Sequence, residues 1–111
     1  MATVSETGWP YMQHRGGPAG FLRVVDETTL AFADFGGNRQ YVSTGNLQTN
    51  DRIALFLMDY HRRDRLKILG HARVVTMAED PALVTGLAVE GYAARVERAI
   101  VITIAGLEWN C

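Results

Sequence analysis

Residues 53–58, Ile-Ala-Leu-Phe-Leu-Met, run without a polar break. That pattern reads as a β-strand covered on both faces. Around it the chain divides into short strands separated by turn signals. Ala2–Ser5 and Trp9–Arg15 read as a hairpin joined by Glu6-Thr7-Gly8, with Gly where a left-handed backbone is needed. The run 16–20, Gly-Gly-Pro-Ala-Gly, breaks or kinks the chain. Phe21–Val25 and Leu30–Phe35 read as a second hairpin across Asp26-Glu27-Thr28. Alternation along its second strand places Leu30, Phe32 and Asp34 on one face, opposite Ala31, Ala33 and Phe35.

After Gly36-Gly37, residues 38–47 read as a short helix, with Asn38 as N-cap and Gly45-Asn46 as its end. Arg65–Val75 is the next strand, with a bulge or tight bend expected at Gly70. Asp80-Pro81 starts a second helix, with Leu83, Val84 and Leu87 on its apolar face and its end expected by Gly91. Ala99–Leu107 is the last strand, with Val101 and Thr103 opposite Ile100, Ile102 and Ile104. Six or seven strands in hairpin order, with one or two short helices, favour an antiparallel barrel over a parallel α/β sheet.

At 111 residues, 48% hydrophobic and 21% charged, the chain is expected to form one globular domain over 1–111. A formal charge of −1 gives no support to nonspecific nucleic-acid binding. No apolar run approaches the ~20 residues that cross a bilayer, and no signal peptide opens the chain. Cys111 alone makes no internal disulfide. His14, His61 and His71 lack metal-ligand spacing, and no Gly-x-Ser-x-Gly elbow occurs. A cytoplasmic protein without metal, and without nucleic-acid or membrane partners, is expected.

Four places carry polar groups that a plain barrel does not need. His14 and Arg15 stand at a strand end before the Gly-rich break, where a histidine suits acid–base work and where ordinary strand-end side chains are the simpler reading. The segment 34–40, Asp-Phe-Gly-Gly-Asn-Arg-Gln, combines glycines that admit a close ligand with the Arg39 fork, although Gly-Gly-Asn is also a common turn. Arg65 and Lys67 point to one face of a strand and need an anion between them, which Asp59 or Asp64 could supply. Arg15, Arg23, Arg39, Arg65 and Lys67, if they converge, suit a phosphorylated aromatic cofactor.

The strings WPYMQHRGGP (9–18), TLAFADFGGNRQY (29–41), 46–60 and RLKILGHARV (65–74) resemble the pyridoxamine 5'-phosphate oxidase-like proteins of the FMN-binding split-barrel superfamily. The resemblance implies an all-β dominated fold with short helices, a six-stranded antiparallel split barrel. It further implies a homodimer with FMN at the subunit interface. Carried over residue by residue, the segment Pro18–Arg23 contacts the flavin and ribityl chain, and Arg23 stands for a lysine of the oxidases. Ala33-Asp34 replace a Tyr-Thr pair. Asn38-Arg39-Gln40 replace the phosphate-binding Ser-Arg-Lys, so Arg39 is kept and the adjacent cation is not. Arg65 replaces a glutamine, and Lys67 lies one pleat further. The expected cofactor-binding set is His14, Arg15, Phe21, Leu22, Arg23, Asp34, Phe35, Asn38, Arg39, Gln40, Arg65 and Lys67. Relatives carry residues before Ala2 and after Cys111, and the C-terminal Arg and His that engage pyridoxamine have no counterpart here. The expected function is therefore a flavin-dependent oxidoreductase acting on another small molecule. The alternatives are a flavin-binding dimer without turnover and a relative using a deazaflavin or heme.

Overall fold

The computed structural model describes residues 1–35, 42–88 and 96–110, with the side chain of Phe35 left out. A short hairpin opens the chain, β1 (Ala2–Val4) with β2 (Pro10–Met12), and Gly8 takes φ 88° in its turn. A second hairpin pairs β3 (Leu22–Asp26) with β4 (Thr29–Phe35). Asp26 Oδ1 closes that turn by accepting from the Thr28 N–H at 2.9 Å.

Helix α1 (Val42–Thr49) leads to the long hairpin of β5 (Arg52–Asp59) and β6 (Asp64–Thr76). Helix α2 (Pro81–Gly86) follows, capped by Asp80, whose carboxylate accepts from the Leu83 N–H at 3.1 Å. The strand β7 (Val96–Asn110) completes one antiparallel sheet of order β2-β1-β5-β6-β7-β4-β3. The sheet holds seven strands, within the six or seven read from the residues and one more than the resemblance implies. Among the described residues no helix is long and apolar enough to cross a membrane.

The sheet coils on itself, and its two faces bury two separate apolar clusters. The inner face gathers Leu30 and Phe32 from β4, Ile53 and Leu55 from β5, Ile68 and Ala72 from β6, and Ile100 and Ile102 from β7, with Leu47 of α1 closing one end. The outer face of β4, β6 and β7 packs Ala31, Ala33, Val75, Ala99 and Val101 under Val84 and Leu87 of α2 and its C-cap. The period-2 alternation read in 30–34 thus corresponds to two real interfaces.

β7 outruns β4, whose pairing stops at Thr29 opposite Thr103. Beyond that point β7 pairs with β6 alone, and Leu107 and Trp109 stay exposed. The bulge expected at Gly70 is present: Leu69 faces Gly106 while Gly70 faces Ile104, so Ala105 is the extra residue. Gly70 is required there by space, because a Cβ would lie 2.6 Å from the Thr103 carbonyl oxygen.

Two expectations need correction. The apolar run of β5 is covered on one face only. Ile53 and Leu55 are buried, whereas Phe56 is 55% exposed and Met58 lies on the same open side. Helix α2 packs against β6 and β7, and among the described residues nothing covers the outer face of β5. Gly45-Asn46 also does not end α1, which continues to Thr49. Asn46 instead donates through Nδ2 to the buried Thr3 Oγ1 at 2.9 Å, tying the helix to β1. The proposed cap Asn38 and the stop at Gly91 lie outside the described residues; α2 itself ends at Gly86.

Gly70→Ala is expected to destabilise the fold by about 1–3 kcal/mol, the range for an inserted carbon in a packed site, measurable by chemical denaturation. The Asp26 carboxyl is held below the ordinary carboxylate value, first by the Thr28 N–H and then by the Thr29 hydroxyl. A depressed folded-state pKa gives stability that is present above the unfolded value and lost as pH falls through the folded one. Asp26→Asn should therefore melt below the wild type at neutral pH, with the gap closing in acid below the carboxylate range.

Candidate functional site: a cleft between the two halves of the sheet

The segment between β2 and β3 folds over the inner face of the coiled sheet and faces the end of β5 across a cleft of about 360 Å³. Met1, His14, Arg15, Phe21, Leu22 and Phe32 line it together with residues 55–58 and Tyr60. The glycines of this segment set the ring positions. A Cβ on Gly16 would lie 2.9 Å from the His14 ring, and one on Gly17 would lie 2.9 Å from Cγ of Phe21. Each ring thus rests against a backbone that carries no side chain. Phe21 meets Phe32 edge to face, with centroids 6.3 Å apart at 78°.

Arg15 lies along the cleft with its guanidinium carbon 5.8 Å from the Phe32 ring centroid. Its Nη1 pairs with Asp34 Oδ1 at 3.0 Å, and its Nη2 donates to Gln13 Oε1 at 3.3 Å. Asp34 Oδ2 is 2.9 Å from Nε of Arg98, and Arg98 Nη2 is 2.8 Å from Glu97 Oε2. The fully buried Ser43, in the first turn of α1, donates from Oγ to Gln13 Oε1 at 2.8 Å. Two donors on one oxygen fix the orientation of the Gln13 amide. The Met1 amino group donates to the Gln13 carbonyl at 2.9 Å, and burial, then Arg15, lower its pKa. One polar chain thus joins β7, β4, the Gly-rich segment and the start of α1.

The residues singled out from sequence separate into four groups. His14, Arg15, Phe21 and Leu22 line the cleft, and Asp34 stands behind Arg15. Arg23 lies on the other face of β3, opposite Ala31, and donates to the carbonyls of Gly20 and Ala88. Arg65 and Lys67 are on the open outer face of β6, in register with Met58 and Phe56, so this chain alone does not bring them to Arg15. Neither Asp59 nor Asp64 pairs with them: Asp59 accepts from the His61 and Arg62 N–H groups of its own turn. Asn38, Arg39 and Gln40, and the side chain of Phe35, lie outside the described residues.

Sequence reasoning missed Arg98, Ser43, Phe32 and the β5 wall. Arg98 left a faint signal as a charge opening an otherwise apolar strand. Only the register, which sets it opposite Asp34, gives it a role.

The chain belongs to the pyridoxamine 5'-phosphate oxidase family, whose sequence profile matches residues 1–107. A comparison with curated protein sequences finds no match. Among solved structures the fold is similar to a variant of HupZ from Group A Streptococcus, at 19% identity over 98% of this chain and 86% of that one, with a TM-score of 0.73. It is also similar to a candidate pyridoxamine 5'-phosphate oxidase from Lactobacillus delbrueckii (22% identity, 96% and 79% covered, TM-score 0.62). A third is a protein from Clostridium acetobutylicum related to general stress protein 26 of B. subtilis, of the pyridoxinephosphate oxidase family (17% identity, 98% and 75% covered, TM-score 0.64). At these identities the likeness is one of fold, the split barrel.

Ser43→Ala removes one of the two donors on the Gln13 amide oxygen. It is expected to cost about 1–2 kcal/mol of stability, as for a part-buried hydrogen bond, read from denaturant midpoints at unchanged slope.

Proposed function

We propose that this protein binds FMN and acts as a flavin-dependent oxidoreductase on a small organic molecule, as a homodimer. The observation that carries the reading is the cleft lined by Phe21, Leu22 and Phe32 together with Arg15 and His14. Its size falls within the ordinary range for small-molecule sites. The fit to a flavin rests on the flat apolar walls and on one unmet donor: Arg15 Nε is buried without a hydrogen-bond partner.

Phe21 and Leu22 would flank the ring, and Arg39 would clamp the phosphate through charge-assisted bonds. Arg15 would place positive charge beside the ring. When bound, the flavin supplies hydride-transfer chemistry, while the protein supplies position, electrostatics and access.

The outer face of β5 and β6 supports the dimer. Phe56, Met58 and Leu69 are exposed there beside Arg65 and Lys67. An apolar patch rimmed by charge is the pattern of an interaction surface. Pairing two copies through it would bring Arg65 and Lys67 to a flavin held mainly by the other subunit, and cofactor binding would stabilise the pair.

The test is a spectrum of the protein after incubation with FMN and desalting. Retained flavin bands near ~370 and ~450 nm, with a stoichiometry approaching one per subunit, are expected. Arg39→Ala should weaken binding by about tenfold or more, the scale of a lost charge-assisted contact. A folded, colourless protein would overturn the cofactor assignment. Reduction by NADH or NADPH with oxygen uptake would distinguish an oxidoreductase from a binding protein without turnover.

A further inference from the structure

Two guanidinium groups converge on one carboxylate behind the cleft wall. Arg15 Nη1 holds Asp34 Oδ1 at 3.0 Å, and Arg98 Nε holds Oδ2 at 2.9 Å. The two arginines are not equivalent. Arg98 has a second carboxylate, Glu97, at 2.8 Å. Asp34 is the only carboxylate paired with Arg15 among the described residues, and the other partner of Arg15 is the neutral Gln13 amide. The Nε of Arg15 is buried and unmatched. The Arg15 and Asp34 side chains each keep 15% of their exposure, so the pair is not sealed from the cleft that Arg15 lines.

We infer that Arg15 and Arg98 form an anion site whose resident occupant is Asp34, and that a phosphoryl group entering through the cleft competes with this carboxylate for Arg15. The exchange leaves no charge stranded. The incoming anion takes Arg15 Nη1 in place of the carboxylate oxygen, while Nη2 keeps Gln13. Asp34 keeps Arg98, and Arg98 keeps Glu97. A planar guanidinium presents paired donors that suit phosphate as well as carboxylate. Asp34 therefore sets the selectivity of this end of the cleft: while its carboxylate is in place, an anionic ligand meets a neutralised cation. The inference does not rest on the flavin reading, and its probe carries no flavin.

The experiment is a titration with inorganic phosphate, followed by thermal melting at ionic strength held constant with chloride. The wild type is expected to respond weakly. Asp34→Asn keeps the side-chain shape and removes the charge, and it should bind phosphate at least about fivefold more tightly, as expected when a charge-assisted contact is vacated. Adding Arg15→Gln to that variant should abolish the gain. A gain below fivefold, or one that survives Arg15→Gln, overturns the inference. If Asp34→Asn does not fold in chloride, circular dichroism in phosphate decides. Recovery of the β-sheet spectrum supports an external anion replacing the carboxylate, and failure to recover it rules that out.

Discussion

The carboxylate of Asp34 is the tie on which the site depends. It sits on the inner face of β4, directly opposite Arg98 of β7, and it reaches Arg15 in a segment with no strand partner of its own at that point. Three charged side chains in a partly dehydrated place must be paired, since taking one partner away leaves a charge that water cannot reach fully. Pairing them fixes Arg15 against Phe32, and Gln13 then fixes the first turn of α1 through Ser43. The irregular segment thereby acquires a defined position over the cleft without belonging to the sheet.

Steric constraints act alongside this polar tie. Gly16 and Gly17 let the His14 and Phe21 rings lie against the backbone, and Gly70 lets β6 and β7 approach at a bulge. The two kinds of glycine do different work. The first pair shapes a wall of the cleft, while Gly70 accommodates the bend of the long hairpin. Helix α2 covers the outer face of β4, β6 and β7, and among the described residues the β5 side stays bare. Phe56 and Met58 belong to that bare side and also line the cleft, so the cleft and the apolar patch meet at β5.

Much of the fold was legible in the sequence. The two hairpins, the Gly70 bulge, the Asp80-Pro81 helix start and the alternation of 30–34 all follow from local rules of dihedral preference and side-chain direction. These rules concern neighbours a few residues apart. The readings that failed needed knowledge of distant contacts. The run 53–58 looks doubly covered because each residue is apolar, yet apolarity does not say whether a second layer exists. Gly45-Asn46 looks like a helix end because both residues favour one, yet Asn46 finds a partner in Thr3, 43 positions earlier.

The site divides along the same line. Sequence picked out His14, Arg15 and Asp34 by residue type and Phe21 and Leu22 through the family resemblance, and by itself it determined most of the extended segments and the turns between them. It could not pair Arg15 with Asp34, or place Arg98 and the β5 wall beside them. The seven-strand order, the cleft between its halves and the separation of Arg23, Arg65 and Lys67 from Arg15 were decided only in the tertiary structure. The physical reason is that period and propensity act along the chain. Strand register, sheet coiling and the pairing of buried charges are set by contacts between residues tens of positions apart, whose energies no local stretch contains.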